Sequence, residues 1–221
     1  MLKVTGLDAF IEKTPILRQV SLDLAKGQMA GLVGRNGAGK TTLLRSIMGL
    51  IEPAAGSVAI RGEDVTHLPG VRRAGLQVGY MPEDRRLVPE LTVEENIMVP
   101  AWATRIADAP RRLERIYALM PEVAGFRDRR AMQLSGGQQK LVAFARALMC
   151  GTQLLLLDEP FEGIAPALSH RLIEVLVALK AEGLSVLLSE SDYTHSAALV
   201  DRLFVIERGV VQERPVTRAA A

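Results

Sequence analysis

The chain has 221 residues, with 27 Lys and Arg against 25 Asp and Glu, a formal net charge of +2 and 48% hydrophobic residues. This balance argues against a nucleic-acid binder held by bulk charge and leaves enough apolar material for one sizeable core with a lobe beside it. Cys150 is the only cysteine, which rules out an internal disulfide, and its apolar setting (ALMC) predicts a buried, inert thiol.

No apolar run reaches the length of a membrane span. The start, MLKVTGLDAF, lacks the charged-then-apolar pattern of a secretory signal. A cytosolic location is expected unless a membrane partner recruits the chain. Arginine pairs at 72–73, 85–86, 111–112 and 129–130 read mostly as solvated faces, with one or two left to meet acidic groups on a partner.

In chain order, β-type segments are predicted at 21–24, 28–33, 57–60, 77–81, 154–158, 185–188 and 203–207. Helical segments are predicted at 40–49, 135–149 and 166–180, the second with Leu141, Phe144, Ala145 and Leu148 at helical spacing. Alternating β and α elements predict an α/β fold with a mostly parallel sheet. The first part, about 2–33, is β-rich and fits a small antiparallel layer. Residues 87–149 carry helical patterns and no convincing strand, so a helical lobe inserted in the α/β core is expected. No internal repeat, low-complexity tract or heptad pattern is present.

Residues 34–41 read GRNGAGKT, between a strand-like GQMAGLV and a helix-like TTLLRSIMG. This is a phosphate loop of the form G-x-x-x-x-G-K-[ST] in the right context. Gly34, Gly37 and Gly39 permit a tight loop whose N–H groups converge on phosphate oxygens. The helix start beneath adds partial positive charge. Lys40 supplies a point charge for the terminal phosphates, and the Thr41 hydroxyl is suited to ligating Mg²⁺. The nucleotide-binding candidates are thus Gly34, Arg35, Asn36, Gly37, Ala38, Gly39, Lys40, Thr41 and Thr42.

Residues 154–160 read LLLLDEP. Four apolar residues without alternation fit a parallel strand buried on both faces. Ligands in open α/β sheets bind beyond the carboxyl ends of the strands. Alone, the stretch is equally well a strand and a polar turn. Beside a phosphate loop, Asp158 becomes a candidate Mg²⁺ ligand. Glu159 becomes the catalytic candidate, able to orient and polarise an attacking water.

Residues 134–140 read LSGGQQK. Ser135 is a good N-cap, and Gln138 three residues on completes a capping box. Standing alone it would be an ordinary capped helix. GRNGAGKT, LSGGQQK and LLLLDEP in this order closely resemble the ATP-binding subunits of ABC transporters, along essentially the whole chain. The resemblance implies ATP and Mg²⁺ as ligands and a head-to-tail pair of such subunits. Each ATP is then sandwiched between the phosphate loop of one copy and Leu134, Ser135, Gly136, Gly137 and Gln138 of the other. It also puts Phe10 where the family has an aromatic that stacks on adenine; a core phenylalanine is the alternative.

Three positions depart from the family pattern. Glu83 stands where a glutamine is usual and remains a further candidate Mg²⁺ ligand. Ser191, in LLSESD, takes the place of the switch histidine. Ala165, in FEGIAP, replaces an aspartate. PEDRR, LTVEENI, DEPFEGIAP and LLSESD resemble the variants of ATPases serving branched-chain and other hydrophobic amino-acid importers, a subgroup that includes urea and amide uptake. His195 lies four residues beyond Ser191. If 192–198 is helical, with Asp192 as its cap, that histidine sits about one turn away.

The resemblance implies a peripheral subunit on the cytoplasmic face of the membrane. Its partners would be a second ATPase subunit, transmembrane permease subunits reached through the helical lobe and the Glu83 loop, and indirectly a substrate-binding protein; nucleic acid is not among them. A P-loop small-molecule kinase explains GRNGAGKT and leaves LSGGQQK unexplained. DNA- or ribosome-directed relatives need coiled-coil insertions or a second ATP domain in the chain. A nucleotide-sensing regulator without turnover is the non-enzymatic alternative.

Overall fold

The computed structural model describes residues 1–192 and 195–216. Two sheets organise them. Strands β1 (Leu2–Ile11) and β2 (Thr14–Leu24) form a long hairpin, extended by β4 (Ala55–Ile60) and β5 (Glu63–Asp64) into a four-stranded antiparallel sheet of order β2-β1-β4-β5. The second sheet has six strands in the order β10-β9-β3-β8-β7-β6. They are β3 (Met29–Val33), β6 (Val78–Met81), β7 (Leu154–Asp158), β8 (Ser185–Glu190), β9 (Arg202–Glu207) and β10 (Val210–Arg214). All neighbours are parallel except β10, which runs antiparallel to β9 at the edge.

The expected antiparallel layer over 2–33 is therefore divided. Residues 2–24 join it, and its other two strands come from beyond the phosphate loop. Residues 29–33 leave it for the parallel sheet, where β8 and β9 flank them. An uninterrupted apolar strand (MAGLV) needs cover on both faces, which the centre of a parallel sheet provides.

The LLLL run shows that logic residue by residue. Leu155 and Leu157 pack with the helical side of the molecule. Leu154 and Leu156 pack with the antiparallel sheet and the helix after the phosphate loop. All of β7 is fully buried.

Seven α-helices complete the described residues: α1 (Lys40–Met48), α2 (Gly70–Gly75), α3 (Val93–Thr104), α4 (Ala109–Leu119), α5 (Pro121–Ala124), α6 (Gly136–Cys150) and α7 (Pro166–Ala181). Four of them, α3 to α6, lie between β6 and β7, with no named strand among them. Thr92 and Glu95 close α3 with a reciprocal capping box. The end of α6 packs backbone to backbone on β6. A Cβ on Gly79 would lie 2.1 Å from the Ala147 carbonyl and 2.8 Å from Gly151 Cα.

Arg73 departs from the solvated role expected of the arginine pairs. It is 1% exposed and donates to the carbonyls of Ser46, Ile47, Leu68 and Thr66. The first two belong to the last turn of α1, where carbonyls lack i+4 partners within the helix, so a cation there suits both hydrogen bonding and the helix dipole. Cys150 is buried, and burial pushes its thiol pKa up, as expected of an inert cysteine.

Candidate active site

Three strand ends meet at one cleft. The phosphate loop leaves β3, and Asp158-Glu159 and Glu190-Ser191 leave the adjoining β7 and β8. This is the carboxyl edge of the parallel sheet, where open α/β sheets bind ligands. The cleft has a volume of about 380 Å³, and Gly37, Gly39, Lys40, Thr41, Glu83 and Glu159 are among the residues lining it.

The loop needs its glycines at defined places. Gly37 and Gly39 have φ of +81° and +112°, conformations that side-chain-bearing residues rarely adopt. Gly34 would drive a Cβ to 2.4 Å from the Ile206 carbonyl. Gly39 is the N-cap of α1 and carries no capping side chain. The first-turn N–H groups of α1 have no carbonyl one turn back, so they are left for a ligand. Arg35 and Asn36 are exposed, while Ala38 and Thr42 are buried beneath the loop.

Lys40 is buried, and its Nζ reaches the Gly34 carbonyl and Glu159 Oε1, the latter at 3.0 Å. Glu159 is held from several sides. Its backbone N–H lies 3.1 Å from Ser189 Oγ and 3.2 Å from the Ser189 carbonyl. Its carboxylate accepts from the Ser191 N–H at 3.2 Å and from Ser191 Oγ at 3.1 Å. Its φ of +49° places a non-glycine residue in the left-handed region, a strain of roughly 1–3 kcal/mol that recurs at functional sites.

Asp158 is fully buried at the end of β7. Ser189 Oγ donates to it at 2.7 Å and Tyr80 Oη approaches at 3.4 Å; the Thr41 hydroxyl is near enough to help lower its pKa. Burial raises the Asp158 pKa, with the hydrogen bond from Ser189 and the Thr41 hydroxyl pulling the other way. Glu83 faces the same cleft, its pKa raised by burial first and then by Asp158, Glu162 and Glu159.

The donor set fits a small hard cation. Thr41 and Asp158 offer oxygen ligands side by side, and Glu83 also lines the cleft. Among the described residues no cluster of three or more His, Cys, Asp or Glu side chains forms. A magnesium ion shared with phosphates needs only one or two protein oxygens.

The other sequence candidates lie apart from this group. Ser135 caps α6 through a reciprocal box with Gln138, the bonds measuring 3.0 and 3.3 Å. Ser135 and Gly136 are exposed, Gly137 and Gln138 half-buried, and Leu134 is buried. None of the cleft's lining residues comes from 134–138. Phe10 is 44% exposed, not a core residue, and its neighbour Ile11, with Ile16, supplies the apolar wall of the cleft.

Ser191 stands beside Glu159 and Asn36, 3.1 Å from Asn36 Oδ1. His195 is exposed and its ring lies 5.6 Å from that of Phe161. The helix expected over 192–198 lies partly outside the described residues. Within them, residues 195–199 form turns rather than a helix.

Two residues near the reaction centre escaped the sequence. Ser189 holds Asp158 and orients the Glu159 backbone; its only signal is a polar residue near the end of an apolar strand. Lys140, inside α6, is 2% exposed and points its ammonium at the Glu162 carbonyl. Burial lowers its pKa to about 8.

This architecture recurs in known proteins. The ABC transporter family model matches residues 17–162. The high-affinity branched-chain amino acid transport ATP-binding protein BraG of Pseudomonas aeruginosa is 35% identical over 209 residues, covering 95% of this chain and 90% of BraG. The lipopolysaccharide export system ATP-binding protein LptB of Escherichia coli is 32% identical over 196 residues, 88% of this chain and 81% of LptB. Among solved structures, the ADP conformation of MJ1267, an ATP-binding cassette of an ABC transporter, superposes with a TM-score of 0.83 at 26% identity, covering 96% of this chain and 89% of that one. With the phosphate loop, the buried aspartate and the adjoining glutamate at one sheet edge, the chain belongs to the ABC transporter family and is one of its ATP-hydrolysing subunits.

Proposed function

We propose that this chain is the ATP-driven motor of a membrane importer for branched-chain or other hydrophobic amino acids. The observation that carries the catalytic part is the convergence of Lys40, the Thr41–Asp158 pair and Glu159 on one cleft. Residues 34–42 hold the triphosphate, with Lys40 neutralising its terminal charge. Thr41 and Asp158 hold Mg²⁺, with Glu83 able to add a further oxygen. The chemistry supplied by that ion is neutralisation of charge on the β- and γ-phosphates.

Glu159 is the general base. Its carboxylate takes a proton from the water that attacks the γ-phosphorus as the bond to the β-phosphate oxygen breaks, giving ADP and inorganic phosphate. Ser191 N–H and Oγ hold the carboxylate in place. Phe10, with Ile11 and Ile16 on the same hairpin, offers an apolar resting place for adenine.

The exposed start of α6, residues 134–138, completes the site of a second copy or a similar subunit in a head-to-tail dimer. A capped helix start with bare glycines, outside the lining of the chain's own cleft, supports that reading. The whole chain then works as one ATP-binding domain, with residues 87–149 as its helical subdomain. An apolar groove between β6, α3 and α6, with Val99, Pro100 and Cys150 on its walls, supports permease docking beside the Glu83 loop. No helix among the described residues is long and apolar enough to cross a membrane. The proposed place is therefore peripheral, on the cytoplasmic face and held by permease subunits.

The amino-acid cargo is supported by the likeness to BraG. The likeness to LptB favours an exporter as the second reading. The test is reconstitution with the permease subunits in vesicles. ATP-dependent accumulation of labelled leucine, abolished by Glu159→Gln, is expected. ATP turnover without accumulation, stimulated instead by lipopolysaccharide, would overturn the importer. Urea or amide accumulation in place of leucine would move the cargo within the same subgroup.

A further inference from the structure

Lys140 is a cation where the fold has no structural need of one. It sits in the second turn of α6, 2% exposed. Its ammonium carries three donors, and the acceptor it reaches is the neutral carbonyl of Glu162. Taking an ammonium out of water costs several kcal/mol, which one neutral carbonyl does not offset. Packing therefore does not account for it.

Its two ends do. One turn before Lys140 lies the exposed Ser135–Gln138 box at the start of α6. The Glu162 carbonyl that it holds belongs to the turn opened by Glu159, whose carbonyl accepts the Glu162 N–H at 3.3 Å. The charged groups around the ammonium are Glu162 in that turn, Glu159 at its start, and Glu83 and Arg85 on the loop after β6. One side chain thus joins the helix start offered to a second subunit to the loop carrying the chain's own general base.

We propose that Lys140 is a positioning residue that ties α6 to the Glu159–Glu162 turn, so that ATP engaged by residues 135–138 across a dimer sets the placement of Glu159 in this chain's own site. This rests on the head-to-tail reading above. Cooperativity between the two sites then depends on an intrachain link that leaves nucleotide binding untouched.

The test compares the parent with Lys140→Met and Lys140→Arg for kcat, KM, the Hill coefficient for ATP and the melting temperature. Lys140→Met is expected to lose about tenfold to a hundredfold in kcat, since small misplacements of a catalytic group cost that much. Its KM should stay within about twofold, and its Hill coefficient should fall toward one. Lys140→Arg, which keeps donor and charge, should retain most of kcat. If Lys140→Met melts early, Lys140→Gln, whose amide ends one atom short of Nζ, is read in its place by the same criteria. Parent-like kcat and Hill coefficient in the neutral variant, or a Lys140→Arg no faster than Lys140→Met, would overturn the proposal. A parent that neither hydrolyses ATP nor dimerises on it sinks the underlying reading instead, and that is seen without any variant.

Discussion

Lys40 Nζ lies 3.0 Å from Glu159 Oε1, with side-chain exposures of 6% and 7%. The cation meant for the phosphates and the carboxylate meant for the attacking water are partners of one another. Phosphate oxygens that draw Lys40 away therefore leave Glu159 with its Ser191 contacts and a freer carboxylate oxygen. On the proposed assignment, ATP binding itself frees the base.

Lys40→Ala should cut ATP affinity about a hundredfold or more, because truncating one member of a desolvated charge pair costs roughly 2–5 kcal/mol. It should also lower the melting temperature, since Glu159 loses its cationic partner in a buried site. Isothermal calorimetry and thermal denaturation check the two effects, and unchanged affinity would refute the phosphate-loop assignment.

Glu159→Gln should bind ATP at least as tightly as the parent while hydrolysis falls by about two to four orders of magnitude. The amide keeps the size and the Ser191 contacts but loses the base and the hold on Lys40. Gel filtration with ATP and Mg²⁺ should show a persistent dimer, and turnover at the parent rate would remove Glu159 from the mechanism.

Ser135→Arg should leave ATP binding to the isolated chain intact and block hydrolysis. The residue is exposed and is not among those lining the chain's own cleft, so the added cation is expected to act where another copy docks. In mixtures with excess variant, turnover should fall below the parent fraction. Turnover in simple proportion to that fraction would argue against composite sites.

Ser191→Ala removes one hydrogen bond to the Glu159 carboxylate, worth about 1 kcal/mol. A loss of roughly fivefold in kcat is expected, far less than in Glu159→Gln. His195→Ala should keep most activity, since the ring is exposed and rests beside Phe161. Steady-state kinetics decide both, and a histidine variant as impaired as Glu159→Gln would relocate the switch.

Glu190 is 3% exposed and hydrogen-bonded by the Ser196 hydroxyl. Burial pushes its pKa up to about 8, with the Ser196 bond opposing and Glu159 and Asp192 adding to the rise. Between its ordinary value of 4.5 and about 8, the folded chain keeps a proton that the unfolded chain releases. Its contribution to stability is therefore lost as pH rises through that window, and the full cost is present above it. Glu190→Gln should be more stable than the parent at about pH 9 by a few kcal/mol. Chemical denaturation across the pH range checks this. The gap should close as pH falls toward the ordinary carboxylate value; a gap independent of pH would refute the assignment.

Legibility followed the range of the interaction. The phosphate loop, the Ser135 capping box and the doubly buried leucine run are local patterns with local causes, and each could be read along the chain. The placement of residues 29–33 could not, because β3 is defined by partners at 186–190 and 202–205. Arg73 looked like any surface arginine, since the carbonyls that bury it come from two other segments, 46–47 and 66–68. The left-handed backbone at Glu159 and the doubled role of Ser189 depend on two strands ending side by side. Lys140 was hidden for the same reason: nothing in LSGGQQK says that its sixth residue after Leu134 faces inward to a loop twenty-two residues on.

The glycine contact beneath α6 has a mechanical consequence. Backbone against backbone at Gly79, Ala147 and Gly151 leaves the end of α6 no room to slide. The helix has 15 residues, about 22 Å at 1.5 Å per residue. A push on its start, where residues 135 and 136 are exposed, thus acts against a fixed point at β6, and β6 runs directly into the loop bearing Glu83. A shift of about 2 Å at the tip corresponds to a tilt of roughly 5°, which swings the middle of the rod while its anchored end hardly moves. Side chains along α6 experience graded displacement according to their distance from Gly79, and enlarging that glycine would remove the hinge rather than the lever.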